Sequence, residues 1–362
     1  MRRSHCVKTL TSKGNAHVIG LGLIGSSLSL ALAQDGWSVT GWDREQAICD
    51  DAASIGIEIS EVFGDSDLVF VCVPAGSVVE VVDSVTSALM SPEAIVSDVA
   101  GIKSTIVEAV KDPRFIGGHP MAGSELRGPR GASGELFRGC NWILTPTSGT
   151  PPELYSRLHA ILRSLEANVL AIEPEQHDRL MAVASHVPHL VAGALMNEAS
   201  DSSQHDAVLL QLAAGGFRDM TRIAAGDPSI WPDVLIENKV AVKDTLTSVV
   251  SRLSSLISAI EAQERGELYN LLSNASKARR ELPGRATRSE ELVYLRIELS
   301  DEPGQLARVT LRASELLVNI YDIEIAHSAS ESFGTLLIAV DAEAGPRLVS
   351  ALSNDGFKVG NS

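Results

Sequence analysis

Three clusters in this chain hold residue types able to move a proton or grip an anion. The first is Gly117-Gly118-His119-Pro120-Met121-Ala122-Gly123-Ser124-Glu125, a histidine set among small residues. Glycines there let a ligand approach the backbone, and a neutral imidazole can take a proton from a substrate hydroxyl. The second is Ser185-His186-Val187-Pro188-His189, with His177 and Asp178 a few turns earlier. His186 and His189, three residues apart, share one helical face. Read alone, this cluster has three possible uses: satisfied buried histidines, substrate contact, or metal ligation, although its spacing fits no common metal site. The third is Gly215-Gly216-Phe217-Arg218-Asp219-Met220-Thr221-Arg222-Ile223, whose arginines lie four apart and face the same side of a helix. A guanidinium fork suits carboxylate capture. Arg218 reads as a solvated helix residue. Trp231, followed by Asp233 and Asn238, either completes this group or belongs to the core.

A nucleotide signature precedes all three. His17-Val18-Ile19 runs into Gly20-Leu21-Gly22-Leu23-Ile24-Gly25 and then into the helix-like Ser26 to Ala33. In a G-x-G-x-x-G turn the first glycine permits the tight turn, the second lets a pyrophosphate approach the backbone, and the third lets helix and strand sit close. A second apolar run, Trp37 to Trp42, ends at Asp43, about 20 residues on, where a carboxylate meets adenosine ribose hydroxyls. Strand, turn, helix, strand and acid occur in that order, which predicts dinucleotide binding. Asp43 repels a 2′-phosphate and so favours NAD over NADP, with Arg44 leaving some tolerance for NADP.

The elements that must position these residues follow from length and pattern. At 362 residues the chain is long enough for two or three domains. A net charge of −16 argues against nucleic acid as a partner and requires anionic substrates to be captured by local arginine or histidine. The four cysteines, Cys6, Cys49, Cys72 and Cys140, form no C-x-x-C pair, so neither a disulfide framework nor a zinc site is expected, and a reducing cytoplasm fits. No apolar stretch reaches the length of a membrane span without glycine or charge breaking it, so no membrane is expected. Arg2, Arg3 and the uncharged stretch ending Ala31-Leu32-Ala33 imitate an export signal, but three glycines interrupt its core and cleavage would discard the phosphate loop.

Residues 14–173 alternate strand and helix, with strands at Val69–Pro74, Ala94–Asp98, Arg114–Gly118 and Asn141–Thr145, which predicts a Rossmann-type, doubly wound and largely parallel α/β sheet. Ligands in such sheets sit beyond the carboxyl ends of the strands, and Pro74, Asp98 and His119 fall at or just after strand ends. Residues 174–280 carry no strand pattern. Leu180–Met196 reads as a helix buried on all sides and kinked at Pro188, and Ile236–Glu264 as one long helix with apolar Val240, Leu246, Val249, Val250, Leu253 and Leu256 at three- and four-residue steps, long enough to pack on another subunit. The charged, Pro-Gly-containing Lys277–Arg288 reads as a linker, placed at 281–290 when domains are drawn. Residues 291–362 follow a βαββαβ order, as in a small ferredoxin-like module.

Together these residues resemble the prephenate and arogenate dehydrogenase family of tyrosine biosynthesis. The resemblance covers nearly the whole chain: the G-L-G-L-I-G loop, the turn Asp98-Val99-Ala100-Gly101-Ile102-Lys103, G-G-H-P-M-A-G-S-E, H-D ahead of S-H-V-P-H, and G-G-F-R-D-M-T-R-I-A ahead of a D-P and a tryptophan. It implies NAD-dependent oxidative decarboxylation of prephenate, or of arogenate, by a homodimer. By that resemblance His119 accepts the ring hydroxyl proton as hydride leaves, Arg222 binds the substrate carboxylate, and His189 and Trp231 line the pocket with backbone from Gly215. His119, Arg222 and His189 form the implied catalytic group. Gly20, Gly22, Leu23, Ile24, Gly25, Asp43, Pro74 and Asp98 are the implied cofactor contacts, with Lys103 and Asp98 shaping the turn beside the nicotinamide, and no metal is needed. Relatives often carry serine where this chain has Gly101, leaving Ser97, Ser104, Ser124 or water to fill that place. His189, able to take up a positive charge, mildly favours the keto acid prephenate, and a pocket carboxylate would favour the amino acid arogenate.

The C-terminal module resembles an ACT domain, an amino-acid-sensing fold. Its implied effector contacts are Asp301, Pro303, Gly304, Gln305, Asn319 and Ile320, and its implied effector is tyrosine. Two other readings compete with the enzyme: a catalytically dead nucleotide sensor, against which His119, Arg222 and Asp43 speak, and a hydroxy-acid dehydrogenase using Lys239 or Lys243, which leaves the His119 block without a role.

Overall fold

The computed structural model describes residues 13–123, 126–204, 208–209, 211–281, 292–300, 302, 304–327 and 333–361. Arg2, Arg3, Cys6, Ser124, Glu125, Asp301, Pro303 and the expected linker beyond Glu281 lie outside them. The chain divides into two compact units at Val249 and Val250.

In the first unit an eight-stranded sheet is built from β1 (Asn15–Ile19), β2 (Ser38–Trp42), β3 (Glu58–Ile59), β4 (Leu68–Val71), β5 (Ile95–Asp98), β6 (Phe115–Pro120), β7 (Asn141–Thr145) and β8 (Asn168–Ala171). Their order is β3-β2-β1-β4-β5-β6-β7-β8. All neighbours are parallel except β6 and β7, where His119 pairs with Ile143. The order reverses between β1 and β4, which opens a crevice at their carboxyl ends. β4 reads Leu-Val-Phe-Val and is buried throughout, as a central strand covered on both faces must be.

Helices α1 (Leu23–Gln34), α2 (Gln46–Ser54), α3 (Val78–Ala88), α4 (Ser104–Ala109) and α5 (Pro152–Ser164) cover that sheet. α1 and α5 bury Leu28, Leu32, Leu154, Leu158 and Leu162 against one face. α3 and α4 bury Val78, Val82, Val85 and Ile106 against the other. His119 is the penultimate residue of β6 and so stands at its carboxyl end.

Next come α6 (Pro174–Met181) and α7 (Val187–Ser203), joined by a π-helical turn at Ala182–His186. Here the structure corrects the expected buried, proline-kinked helix. The irregularity is the wide turn before Pro188, which absorbs a ring with no N–H to give. Leu180 and Val183 are 47% and 61% exposed, so the helix buries one face only. The continuous run Pro174–Ser203 meets the length and composition of a membrane span over one 18-residue window of mean hydropathy 1.2, but Asp178, Arg179, Gly193 and Glu198 interrupt it, in keeping with the reading of the sequence. Its buried face holds His177, Asp178 and His186.

After α8 (Gly215–Thr221) and α9 (Trp231–Glu237), the long helix begins only at Lys239, as α10 (Lys239–Glu261). Asn238, at φ −96° and ψ 27°, ends α9 and separates it from α10. Val242, Leu246 and Val249 pack with Ala182 and Val187, whereas Val240, Val250, Leu253, Ile257 and Ile260 are all more than half exposed.

In the second unit α11 (Arg265–Arg280) includes Lys277–Arg280, expected to be linker; three basic residues in its last turn complement the negative helix end. Then follow β9 (Leu292–Ser300), α12 (Gln305–Glu315), β10 (Ile320–His327), β11 (Phe333–Asp341), α13 (Gly345–Asn354) and β12 (Lys358–Asn361). The four strands form an antiparallel sheet in the order β10-β11-β9-β12. Leu295, Ile297, Val309, Leu336, Ile338, Leu348 and Leu352 make its core. Gly304, at φ +94°, caps α12; the Gln305 amide donates to Glu302, and Ile320 pairs with Val340.

Candidate active site

The nucleotide loop has the geometry its glycines require. Gly20 sits at φ +91°, and a Cβ on it would lie 2.4 Å from the Cys72 carbonyl oxygen. A Cβ on Gly25 would lie 1.9 Å from the Gly20 carbonyl oxygen, so α1 can cross the strand end only with hydrogen at this position. Around Gly22, by contrast, nothing lies within 4 Å of where a Cβ would be. That open face, at the N-terminus of a helix with no side-chain cap, fits a pyrophosphate. Leu23 and Ile24 form the first turn of α1. Asp43 stands at the end of β2 and accepts from the Leu21 amide at 2.8 Å and the Glu45 amide at 3.0 Å, which ties the second strand to the loop. Pro74 is exposed and opens a short 3-10 turn after β4.

Asp98, an implied cofactor contact, ends β5. It is fully buried, and its oxygens accept from the amides of Ala100 and Gly118, each at 3.0 Å, and from the Lys103 ammonium. Lys103 is equally buried, and desolvation pulls its ammonium below the ordinary value against the opposing attraction of Asp98. This pair fixes the turn from Asp98 to Lys103. Of the serines considered for the place beside Gly101, Ser97 is buried and donates to the Asp98 carbonyl, and Ser104 uses its amide on Asp178.

His119 and the start of α6 meet across the interface between sheet and helices. His119 Nδ1 lies 2.8 Å from His177 Nε2, and His177 Nδ1 lies 2.8 Å from Asp178 Oδ1. Asp178 also accepts from the Lys103 amide at 2.8 Å and the Ser104 amide at 2.9 Å. Burial would raise the Asp178 carboxyl, but the hydrogen bonds from His177, Ser104 and Lys103 outweigh it and hold the group at about 2. His119 is pushed well below its ordinary value, first by burial and then by His177, Lys103 and His186, with Asp178 opposing. It is therefore a neutral imidazole at pH 7. Both His177 nitrogens and both Asp178 oxygens are engaged in hydrogen bonds. Of the three uses open to this cluster, the structure gives His177 and Asp178 that of buried, hydrogen-bonded groups, and their contact with His119 is one the sequence reasoning missed.

Asn238, at the break before α10, donates its amide to the Asp178 carbonyl at 2.8 Å and lies 3.2 Å from His186 Nδ1. Burial holds the His186 imidazole down at about 4. His186 meets Trp231 edge-on, and His189 stacks on the same indole with centroids 3.7 Å apart and planes 17° apart. The structure thus brings His189 and Trp231 together. Burial lowers the His189 imidazole below its ordinary value, which favours its neutral form. Arg222 is exposed and opens the 3-10 turn Arg222–Ala225, which leads to Gly226 beside the His189 ring. Gly215 begins α8 with open space around it, and Arg218 is solvated, donating to the Ala213 carbonyl.

Two family models match the chain: "Prephenate dehydrogenase, nucleotide-binding domain" over residues 28–171 and "Prephenate dehydrogenase, dimerization domain" over residues 173–274. The prephenate dehydrogenase of Bacillus subtilis is 28% identical over 342 residues, covering 90% of this chain and 91% of that one. The crystal structure of Synechocystis arogenate dehydrogenase is 32% identical with a TM-score of 0.64, covering 74% of this chain and all of that one. The structure of prephenate dehydrogenase from A. aeolicus in complex with hydroxyphenyl propionate and NAD+ is 29% identical with a TM-score of 0.70, covering 75% of this chain and 99% of that one.

Proposed function

This chain belongs to the prephenate dehydrogenase family, and on that footing we propose that it carries out the NAD-dependent oxidative decarboxylation of prephenate to 4-hydroxyphenylpyruvate. The observation that carries this reading is His119: a neutral imidazole with Nδ1 tied to His177 and its other edge facing the small residue Gly101. The Nε2 atom takes the proton of the ring hydroxyl. NAD, when bound, supplies the hydride acceptor. The ring carbonyl so formed draws electrons from the departing carboxylate, and loss of CO2 leaves an aromatic ring, which makes the reaction essentially irreversible. The protein supplies orientation, a base and an anion clamp, and needs no covalent nucleophile. Arg222 pairs with the substrate carboxylate, while the His189–Trp231 stack and the Gly215 backbone hold the side chain. Asp43 binds the adenosine ribose, with phosphates on the amides from Gly22 to Gly25.

Arogenate is the second reading. A neutral His189 takes away the electrostatic argument against an ammonium-bearing side chain, so both substrates belong in the test. The domains are drawn at 14–173 for the nucleotide, 174–280 for substrate and dimerisation, and 291–362 for regulation. The exposed Val250, Leu253, Ile257 and Ile260, spaced by three and four residues on α10, support a homodimer. The βαββαβ order and sheet of the last segment support a ferredoxin-like ACT module responding to tyrosine. A cytoplasmic location fits a hydrogen-bonded rather than lipid-facing Pro174–Ser203.

The experiment is a spectrophotometric assay crossing prephenate and arogenate with NAD and NADP, with and without tyrosine. Expected are NADH formation with prephenate and inhibition by tyrosine that disappears on truncation near Arg288. Turnover with neither substrate would overturn the reading.

A further inference from the structure

His177 touches neither the open Gly101 face of the site nor solvent, yet it stands between the two groups that matter most for a base. It is fully buried, with Nε2 on His119 and Nδ1 on Asp178. The direction of every hydrogen in this row follows from its far end. The Lys103 and Ser104 amides can only donate, so both Asp178 oxygens act as acceptors toward them. An ionised carboxylate has no hydrogen of its own, so His177 Nδ1 must be the protonated nitrogen of that ring. With that single hydrogen on its ring, His177 offers a lone pair at Nε2, and the atom 2.8 Å away, His119 Nδ1, then carries the hydrogen between them. That leaves the lone pair of His119 on Nε2, the atom beside Gly101.

We propose that His177 is a positioning residue, which with Asp178 locks His119 in the tautomer whose Nε2 is the free base and shares the charge once that base is protonated. The inference rests on His119 as the base of the proposed reaction. When Nε2 gains the hydroxyl proton, His119 becomes an imidazolium, and its Nδ1–H bond to His177 becomes charge-assisted. Sliding that hydrogen to His177 Nε2 places the positive charge next to the Asp178 carboxylate, with no net change in atoms or charge. The other titratable groups facing His119 are Lys103 and His186, both of which oppose a positive charge there, so Asp178 is the one group that offsets it. The arrangement matches the logic of hydrolase triads, in which a buried carboxylate fixes the tautomer of a histidine and its loss costs about 10⁴ in kcat.

The test uses the full-length protein labelled with ¹⁵N-histidine, whose long-range ¹H–¹⁵N correlations report which ring nitrogen carries hydrogen. The wild-type protein shows His119 protonated at Nδ1 and His177 at Nδ1. In His177→Phe the His119 signal moves toward the Nε2–H form, and kcat falls about 10²- to 10³-fold with substrate KM changed less than about threefold. His177→Gln, which restores an oxygen acceptor for His119 Nδ1–H, recovers the Nδ1–H form and about tenfold of the lost kcat. An Nε2–H His119 in the wild type, a measurement needing no variant, overturns the proposal, as does wild-type kcat in His177→Phe. Normal turnover in His119→Asn would instead overturn the base assignment, while leaving the tautomer measurement to stand by itself.

Discussion

Gly101 lies against the free edge of the His119 ring: a Cβ at position 101 would sit 3.7 Å from both Cε1 and Nε2. That is ordinary contact distance, so a small side chain fits and a large one covers the nitrogen. Gly101→Ser is expected to fold normally, whereas Gly101→Leu should lower kcat/KM by about 10²-fold or more by displacing the reacting hydroxyl. Steady-state kinetics paired with a thermal melt separates blockage from unfolding; unaltered kcat/KM in Gly101→Leu would remove Nε2 from the reaction.

Replacing the base itself is the harsher change. His119→Asn should cut kcat by about 10²- to 10⁴-fold, the span of general-base loss. Because burial, His177 and Lys103 depress the His119 imidazole, the wild-type kcat should stay level from pH 8 to 6 and fall only below the ordinary histidine range. An acid limb centred above pH 7 in a pH–rate profile would contradict this.

Arg222 is exposed at the start of a tight turn beside the His189–Trp231 stack. Arg222→Ala should raise substrate KM by about 10- to 100-fold, the loss of one charge-assisted pair, with NAD affinity little changed. Isothermal titration with NAD alongside substrate kinetics gives both numbers. An intact substrate KM would place the carboxylate elsewhere.

Much of this was legible before any coordinates. The glycine loop and Asp43 have fixed spacing because phosphate, ribose and backbone impose it, and β1, α1 and β2 follow the sequence reading closely. The alternation of strands gave the sheet, and the βαββαβ order gave the last module's elements to within a few residues. What was not legible is contact between distant segments. Nothing in Gln176-His177-Asp178 announces that His177 meets His119, 58 residues earlier, or that Asp178 takes the Lys103 and Ser104 amides. Asp98 ends a strand as expected, but nothing in the sequence announces that its carboxylate pairs with a buried Lys103 ammonium. Nor does the run Ile236–Glu264 announce that it breaks at Asn238, whose side-chain amide meets Asp178 and His186.

A last consequence concerns stability. His17 on β1 is fully buried, with Nδ1 2.8 Å from Thr40 Oγ1 and no partner at Nε2. Burial holds it at about 4. Unfolded, it binds a proton near 6.5, so the unfolded state holds more protons as pH falls from 6.5 toward 4, and the native state loses stability across that window. The difference for this one group reaches about 3 kcal/mol near pH 4. His17→Leu should flatten the fall in Tm between pH 6.5 and 4.5; an unchanged slope would mean that His17 is protonated in the native state.

The account turns on where the dihydroaromatic ring lies against His119. The direct measurement is a crystal structure of this protein with NAD and hydroxyphenyl propionate. It is expected to show the ligand's ring hydroxyl within about 3.2 Å of His119 Nε2 and its carboxylate paired with Arg222. A ligand seated with its hydroxyl away from that nitrogen, and its carboxylate on another cation, would contradict it.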